Sequence, residues 1–185
     1  MRSATTVKNN WLILDGSPRQ NGATAALLAA VPSDAAHFRC YDTPVLPCDD
    51  CRACRVTGRC AKRDMDALYE QIEQADVLVF ATPLYNDNFP APLKAVIDRC
   101  QVYWSRRFAL GQRPPIARPK QVYLLTVGGA ANGNADGIKR SLLPLLTVLN
   151  GRLVGEVHAA NTDTREDLSA EQQAVARLFS EDGSV

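Results

Sequence analysis

Long apolar runs are missing from this chain of 185 residues, which removes any helical candidate for a membrane span. An excess of charge is missing too: 21 Lys and Arg face 20 Asp and Glu, for a formal net charge of +1. That balance speaks against a broad nucleic-acid footprint or an acidic tail. Aromatic residues are few, at 6%. The opening MRSATTVKNN lacks the apolar stretch of a secretion signal. Residues 1–9 are expected to form a flexible polar leader, and the expected location is cytoplasmic. No Gly-Lys-Ser/Thr closes a phosphate loop and no G-x-G-x-x-G occurs, so neither a Walker A loop nor a dinucleotide fingerprint is present.

What is present is ordinary for a globular protein: 46% hydrophobic and 22% charged residues, enough for one domain with a full core. That domain is expected to cover residues 10–182. Trp11–Leu14, Asp76–Ala81, Gln121–Val127 and Leu153–His158 read as strands, the first three being near-continuous apolar runs of the kind buried on both faces of a parallel sheet. Ala36–Tyr41 adds a weaker strand. Helices are expected over Ala23–Val31, from a cap at Asp64 through Ala75, around Leu93–Cys100, over Asp136–Asn150 with Gly151 as C-terminal cap, and from a Ser169–Gln172 capping box to about Phe179. Thr43–Arg63 shows no regular pattern, and Arg106–Pro119 reads as a basic, proline-containing connection. The alternation of strand and helix predicts an α/β fold, a doubly wound five-stranded parallel sheet with helices on both faces.

In such a sheet, ligands bind at the carboxyl ends of the strands. Three informative loops follow strands here: 15–22, 82–92 and 127–134. The first, Gly16-Ser-Pro-Arg-Gln-Asn-Gly-Ala-Thr24, combines a Gly/Pro turn with hydroxyls at Ser17 and Thr24, charge at Arg19 and backbone amides at a helix start. That set suits a dianionic phosphate. A plain strand-to-helix turn is the alternative reading. His37 opens a strand and His158 ends one, so both are expected at the surface or an edge, away from acid–base work.

The wording of that loop, GSPR-x-x-G-x-T, resembles the flavodoxin-like NADPH-dependent FMN reductase family. So does Thr82-Pro-Leu-Tyr85 followed by Leu93-Lys94 and Ile97-Asp98-Arg99, and so does the strand ending Thr126-Val-Gly-Gly-Ala130. The resemblance covers roughly residues 11–160. It implies strand order 2-1-3-4-5, with the FMN phosphate on Ser17, Arg19, Asn21, Gly22, Ala23 and Thr24. Ala23 stands where the family commonly has Asn. Pro83, Leu84, Tyr85 and Asn86 are then expected along the flavin ring, with Gly128 and Gly129 on its other side. Lys94, Asp98 and Arg99 are expected to be helix-face and capping residues. Family members often pair so that a neighbour's loops complete the pocket, which implies a homodimer or homotetramer. The basic 106–119 segment with Trp104 and Phe108 is a candidate contact.

Six cysteines are present, and Cys48, Cys51, Cys54 and Cys60 fall within thirteen residues. In a chain with no secretion signal, such clustering favours metal or redox chemistry over disulfides. C-x2-C-x2-C followed by a fourth cysteine fits a [4Fe–4S] ligand set. Zinc more often uses two separated knuckles, and reduced, metal-free thiols are a further reading. The segment, with Gly58-Arg-Cys60 and Asp64-Met65-Asp66 behind it, resembles the iron–sulfur flavoprotein branch of the same family. Cys40 and Cys100 are expected to be buried and inert.

The expected function is an FMN-dependent oxidoreductase. Hydride comes from NAD(P)H, and the acceptor is a quinone, a flavin, a nitro or azo compound, a metal ion, or a redox protein. The flavin carries the chemistry, and no side chain need act as a nucleophile. The alternatives are an FMN and [4Fe–4S] electron-transfer protein without real NAD(P)H turnover, and a non-catalytic flavodoxin-like binding module.

Overall fold

A computed structural model describes residues 9–181 of the chain, so the expected leader lies, but for Asn9, outside the described residues. Five parallel strands, β1 (Trp11–Asp15), β2 (Ala36–Arg39), β3 (Val77–Pro83), β4 (Lys120–Val127) and β5 (Gly151–Ala159), form one sheet in the order β2-β1-β3-β4-β5. The helices are α1 (Ala23–Leu28), α2 (Cys54–Thr57), α3 (Asp66–Gln74), α4 (Ala91–Arg99), α5 (Gln101–Phe108), α6 (Asp136–Leu149) and α7 (Ser169–Glu181). Among the described residues, no helix is long and apolar enough to cross a membrane.

The strand period of two divides the apolar residues between two cores. Leu12, Leu14, Leu78, Phe80, Val122 and Leu124 point to one face and pack with residues of α3, α4, α5 and α6, such as Ile72, Leu93, Tyr103 and Leu142. Ile13, Val77, Val79, Tyr123 and Leu125 point to the other and meet Leu27 of α1 and Val175 of α7. Each such fully buried side chain contributes about 1.5–3 kcal/mol. With both faces covered, β1, β3 and β4 have only their ends free for chemistry.

Several expected boundaries move, each for a local reason. The stripe starting at Leu93 does not stop at Cys100: α5 follows α4 at once and runs to Phe108, taking in part of the expected basic connection. Inside the supposedly irregular 43–63 segment, one short helical turn forms at Cys54–Thr57. Asp64 does not cap α3, whose N-cap is Met65 without a side-chain bond, because its carboxylate is taken by Arg99 at 3.0 Å. The capping box at Ser169 is replaced by Asp167, whose Oδ1 accepts the Ser169 N–H at 2.9 Å, while Gln172 reaches the Ala26 carbonyl. Gly151 starts β5, and Asn150, left-handed at φ 56°, closes α6.

Lys120, at the start of β4, is buried and donates from Nζ to the Ala75 carbonyl at 2.7 Å and the Glu73 carbonyl at 3.2 Å. It thereby satisfies the carboxyl end of α3. Burial lowers its ammonium from the ordinary 10.5 to about 8. The unfolded chain therefore holds that proton more tightly than the folded one between these values, and stability from this group rises with pH across the window. Urea unfolding of wild type and Lys120→Met should show the difference in unfolding free energy moving toward the wild type by about 1–3 kcal/mol between about pH 7 and about pH 10. A difference independent of pH would contradict a buried ammonium here.

Candidate functional site

The loop after β1 is organised by Asp15, the last strand residue. Its carboxylate is buried, with its side chain 2% exposed, and meets three donors: the Ser17 N–H at 2.8 Å, His37 Nε2 at 3.1 Å and Arg39 Nη1 at 3.4 Å. The sequence pattern does not single out Asp15 because its partners come from β2. His37 lies on the exposed edge strand, as expected, and from there it reaches across to the root of the loop. Ser17 is buried, and its hydroxyl turns the chain locally by accepting from the Arg19 N–H and donating to the Arg19 carbonyl, both at 3.2 Å. Gly22 then opens α1 with no side-chain cap, which leaves the first amides of the helix to other acceptors. Gly16 cannot carry a side chain without conflict: a Cβ there would stand 2.8 Å from Leu93 Cδ2 and 2.9 Å from Thr82 Oγ1.

Two further loops close on this one. After β3, Leu84 donates its N–H to the Val127 carbonyl at 2.9 Å. Tyr85 and Asn88 then exchange backbone bonds at 3.0 Å across Asn86 and Asp87, both left-handed at φ 52° and 59°. This is the geometry of a two-residue type I′ turn, and it leaves Tyr85 46% exposed at the rim. After β4, the Gly128 N–H bonds the Ala159 carbonyl at 2.9 Å and its carbonyl accepts from Thr162 at 3.0 Å. His158, at the end of β5, stands behind this glycine loop. Its Nδ1 lies 2.9 Å from Thr126 Oγ1, its buried Nε2 has no partner among the described residues, and burial holds its pKa below the ordinary value. β5 runs parallel to β4, so His158, next to its last residue, reaches the same edge as the glycine loop without lining the cavity.

The three loops line one cavity of about 260 Å³. Nine of the expected residues border it: Ser17, Arg19, Gly22, Ala23, Thr24, Pro83, Leu84, Tyr85 and Gly129. Asn21, Asn86 and Gly128 do not line it: Asn21 and Asn86 are exposed, and the Gly128 amide is used within the sheet edge. Thr162 and Asp163, from the loop after β5, complete the lining. The Asp163 carboxylate fills the space that a side chain on Gly129 would need. The signal for both residues was their place just beyond the carboxyl end of β5, which the strand-end rule already covers.

The four clustered cysteines border a second pocket together with Arg99. Cys48 and Cys51 are exposed, Cys54 and Cys60 half-buried, and all are free thiols. Among the described residues, no three His, Cys, Asp or Glu side chains gather closely enough to hold a single metal ion. Cys54 Sγ lies 3.1 Å from Ser105 Oγ on α5. Asp50 and Arg52, flanking Cys51, are left-handed at φ 52° and 62°, a conformation that costs non-glycine residues about 1–2 kcal/mol each. Cys40 and Cys100 are both buried, and burial pushes each thiol up to about 12, so they are protonated at neutral pH.

Residues 9–165 match the NADPH-dependent FMN reductase family. The chain is 31% identical over 152 residues to an iron-sulfur flavoprotein of Methanosarcina thermophila, covering 77% of this chain and 75% of that one. It is 36% identical over 122 residues to an FMN-dependent NADH:quinone oxidoreductase of Bordetella petrii, covering 64% and 53%. Among solved structures, an NAD(P)H:quinone oxidoreductase from Methanothermobacter marburgensis superposes with a TM-score of 0.70 at 18% identity, over 92% and 94% of the two chains. At that identity the likeness is one of fold.

Replacing Asp15 by Ala leaves the Ser17 N–H, His37 and Arg39 without their common acceptor. Equilibrium unfolding should register a loss of about 2–4 kcal/mol, as for a buried charge stripped of its partners. A loss below about 0.5 kcal/mol would mean that the loop is not built on this carboxylate.

Proposed function

We propose a function for a chain that belongs to the NADPH-dependent FMN reductase family: the cleft at the carboxyl edge of the sheet holds FMN, takes hydride from NAD(P)H and reduces a small-molecule acceptor. One observation carries the reading. Residues of three separate motifs, Ser17–Thr24, Pro83–Tyr85 and Gly129, border a single cavity, as a ligand with a phosphate at one end and a planar ring at the other requires.

The residues suit that ligand. The uncapped start of α1, the Ser17 and Thr24 hydroxyls and the Arg19 guanidinium would hold the phosphate. Pro83, Leu84, Tyr85 and Gly129 would hold the ring. FMN, when bound, supplies the hydride-accepting chemistry, while the protein binds, orients and tunes it. The exposed Tyr85 and the open cleft suit a planar acceptor such as a quinone, a flavin, or a nitro or azo compound. We take residues 10–182 as one domain, with the cysteine segment 43–63 as an insertion.

The same reading assigns Cys48, Cys51, Cys54 and Cys60 to a [4Fe–4S] cluster. In favour are the shared pocket, the C-x2-C-x2-C spacing with a fourth cysteine behind it, and the likeness to a protein named for iron and sulfur. With a cluster in place, a redox protein joins the list of acceptors. The exposed Trp104 and Phe108 rings, 5.1 Å apart, favour self-association through α5, as a homodimer or homotetramer.

Anaerobic purification with a visible spectrum and an iron assay tests the whole. A yellow-brown protein with about four irons per FMN supports both centres. A yellow, iron-free protein keeps the reductase and removes the cluster. A colourless protein that refuses added FMN would sink the reading. Ser17→Ala with Thr24→Ala should weaken FMN binding about 10–100-fold in a fluorescence titration, as expected for the loss of two hydroxyl donors to a charged ligand. Unchanged affinity would count against the phosphate loop.

A further inference from the structure

The cysteine loop is tied at its neck by one side chain from another part of the chain. Arg99, the last residue of α4, is 1% exposed. Its Nη1 donates to the Leu46 carbonyl at 2.8 Å and its Nη2 to the Lys62 carbonyl at 3.0 Å. Leu46 lies two residues before Cys48, and Lys62 two residues after Cys60. Asp64 completes the knot: it meets Arg99 Nη2 at 3.0 Å and accepts the Leu46 N–H at 2.7 Å. Arg99 is therefore no helix-face or capping residue of the ordinary kind. It closes a loop whose turns on either side of Cys51 are unfavourable on their own.

A second observation points from the same residue into the pocket. Arg99 borders the cavity walled by the four cysteines, and its Nε is buried with no acceptor among the described residues. A buried N–H without a partner is costly, and Arg99 brings positive charge, shared with Asp64, to the wall of a pocket lined by four thiol groups. The Coulombic interaction of Arg99 with Cys60 runs in the same direction.

We propose that Arg99 is the positioning residue of the cysteine pocket: its guanidinium closes the neck of the 47–61 loop, and its unshared Nε–H and charge face the sulfur-rich centre that the thiolates hold. This rests on the cluster reading given above. Two consequences follow from general chemistry. The loop keeps its shape before any metal arrives, since its closure is made by an arginine and three carbonyl or carboxylate groups. The positive charge and the N–H donor favour the more reduced, more negative form of the centre, because hydrogen bonds to sulfur and net charge set such potentials.

The test compares wild type with Arg99→Met and Arg99→Lys, using bound FMN as the control for folding. Arg99→Lys keeps the charge but loses the forked contact, and it serves if the methionine variant fails to fold. In the metal-free protein, trypsin should cut at Arg52, Arg55 or Arg59 at least tenfold faster in both variants, because the neck is open. After anaerobic loading with iron and sulfide, a potentiometric titration should show the reduced-to-oxidised ratio of the centre in Arg99→Met falling about tenfold at fixed potential, about 59 mV for a one-electron couple. Arg99→Lys should shift by less than a third of that.

A merely structural arginine would give faster cutting with an unchanged midpoint, and that result overturns the electrostatic half of the proposal. Equal cutting in all three proteins overturns the positioning half. Should wild type bind FMN but take up no iron, the cluster reading fails by itself; the digestion then decides whether Arg99 holds the loop.

Discussion

A strand buried on both faces can offer chemistry only at its ends. The cleft at the carboxyl edge of the sheet depends on that constraint. Because β1, β3 and β4 lie side by side with their apolar residues shared between two cores, their side chains are spent on packing. Because the strands run parallel, their carboxyl ends emerge on the same edge. Three loops distant in sequence therefore meet without needing contacts of their own to find one another. The loops are then fixed by backbone bonds to the neighbouring strand, as in Gly16 to Ala81 at 2.8 Å and Leu84 to Val127 at 2.9 Å.

Much of this was legible in the sequence. The near-continuous apolar runs marked the buried strands, and the alternation with helical stripes gave the parallel sheet. The Gly/Ser/Pro loop at 16–24 stood at the one place where such a loop has chemical meaning. What escaped were features set by residues far apart in the chain. Asp15 reads as one more strand end until β2 brings His37 and Arg39 beside it. Asp64 looks like a helix cap until Arg99 claims it. Thr162 and Asp163 go unmarked because the sequence draws attention to the glycine loop after β4 and not to the loop that follows the strand beside it. For Asp15 and Asp64 a local rule is overruled by a charged partner from a distant part of the chain.

The cysteine segment sits outside this logic. It is not a strand end at the switch point but a loop tied from α4 and α5, by Arg99 at the neck and by Ser105 beside Cys54. The two pockets are thus built in different ways. One follows from sheet topology, where the fold itself presents the loops. The other depends on a few polar contacts that hold an irregular loop closed.

The central claim is that the strand-end loops form a single FMN site, and hydrogen–deuterium exchange with and without saturating FMN tests it most directly. Slower exchange is expected together in residues 15–24, 83–88 and 127–133, with none at the opposite edge around 149–152. No slowing in 15–24, or slowing confined to the opposite edge, would contradict the account.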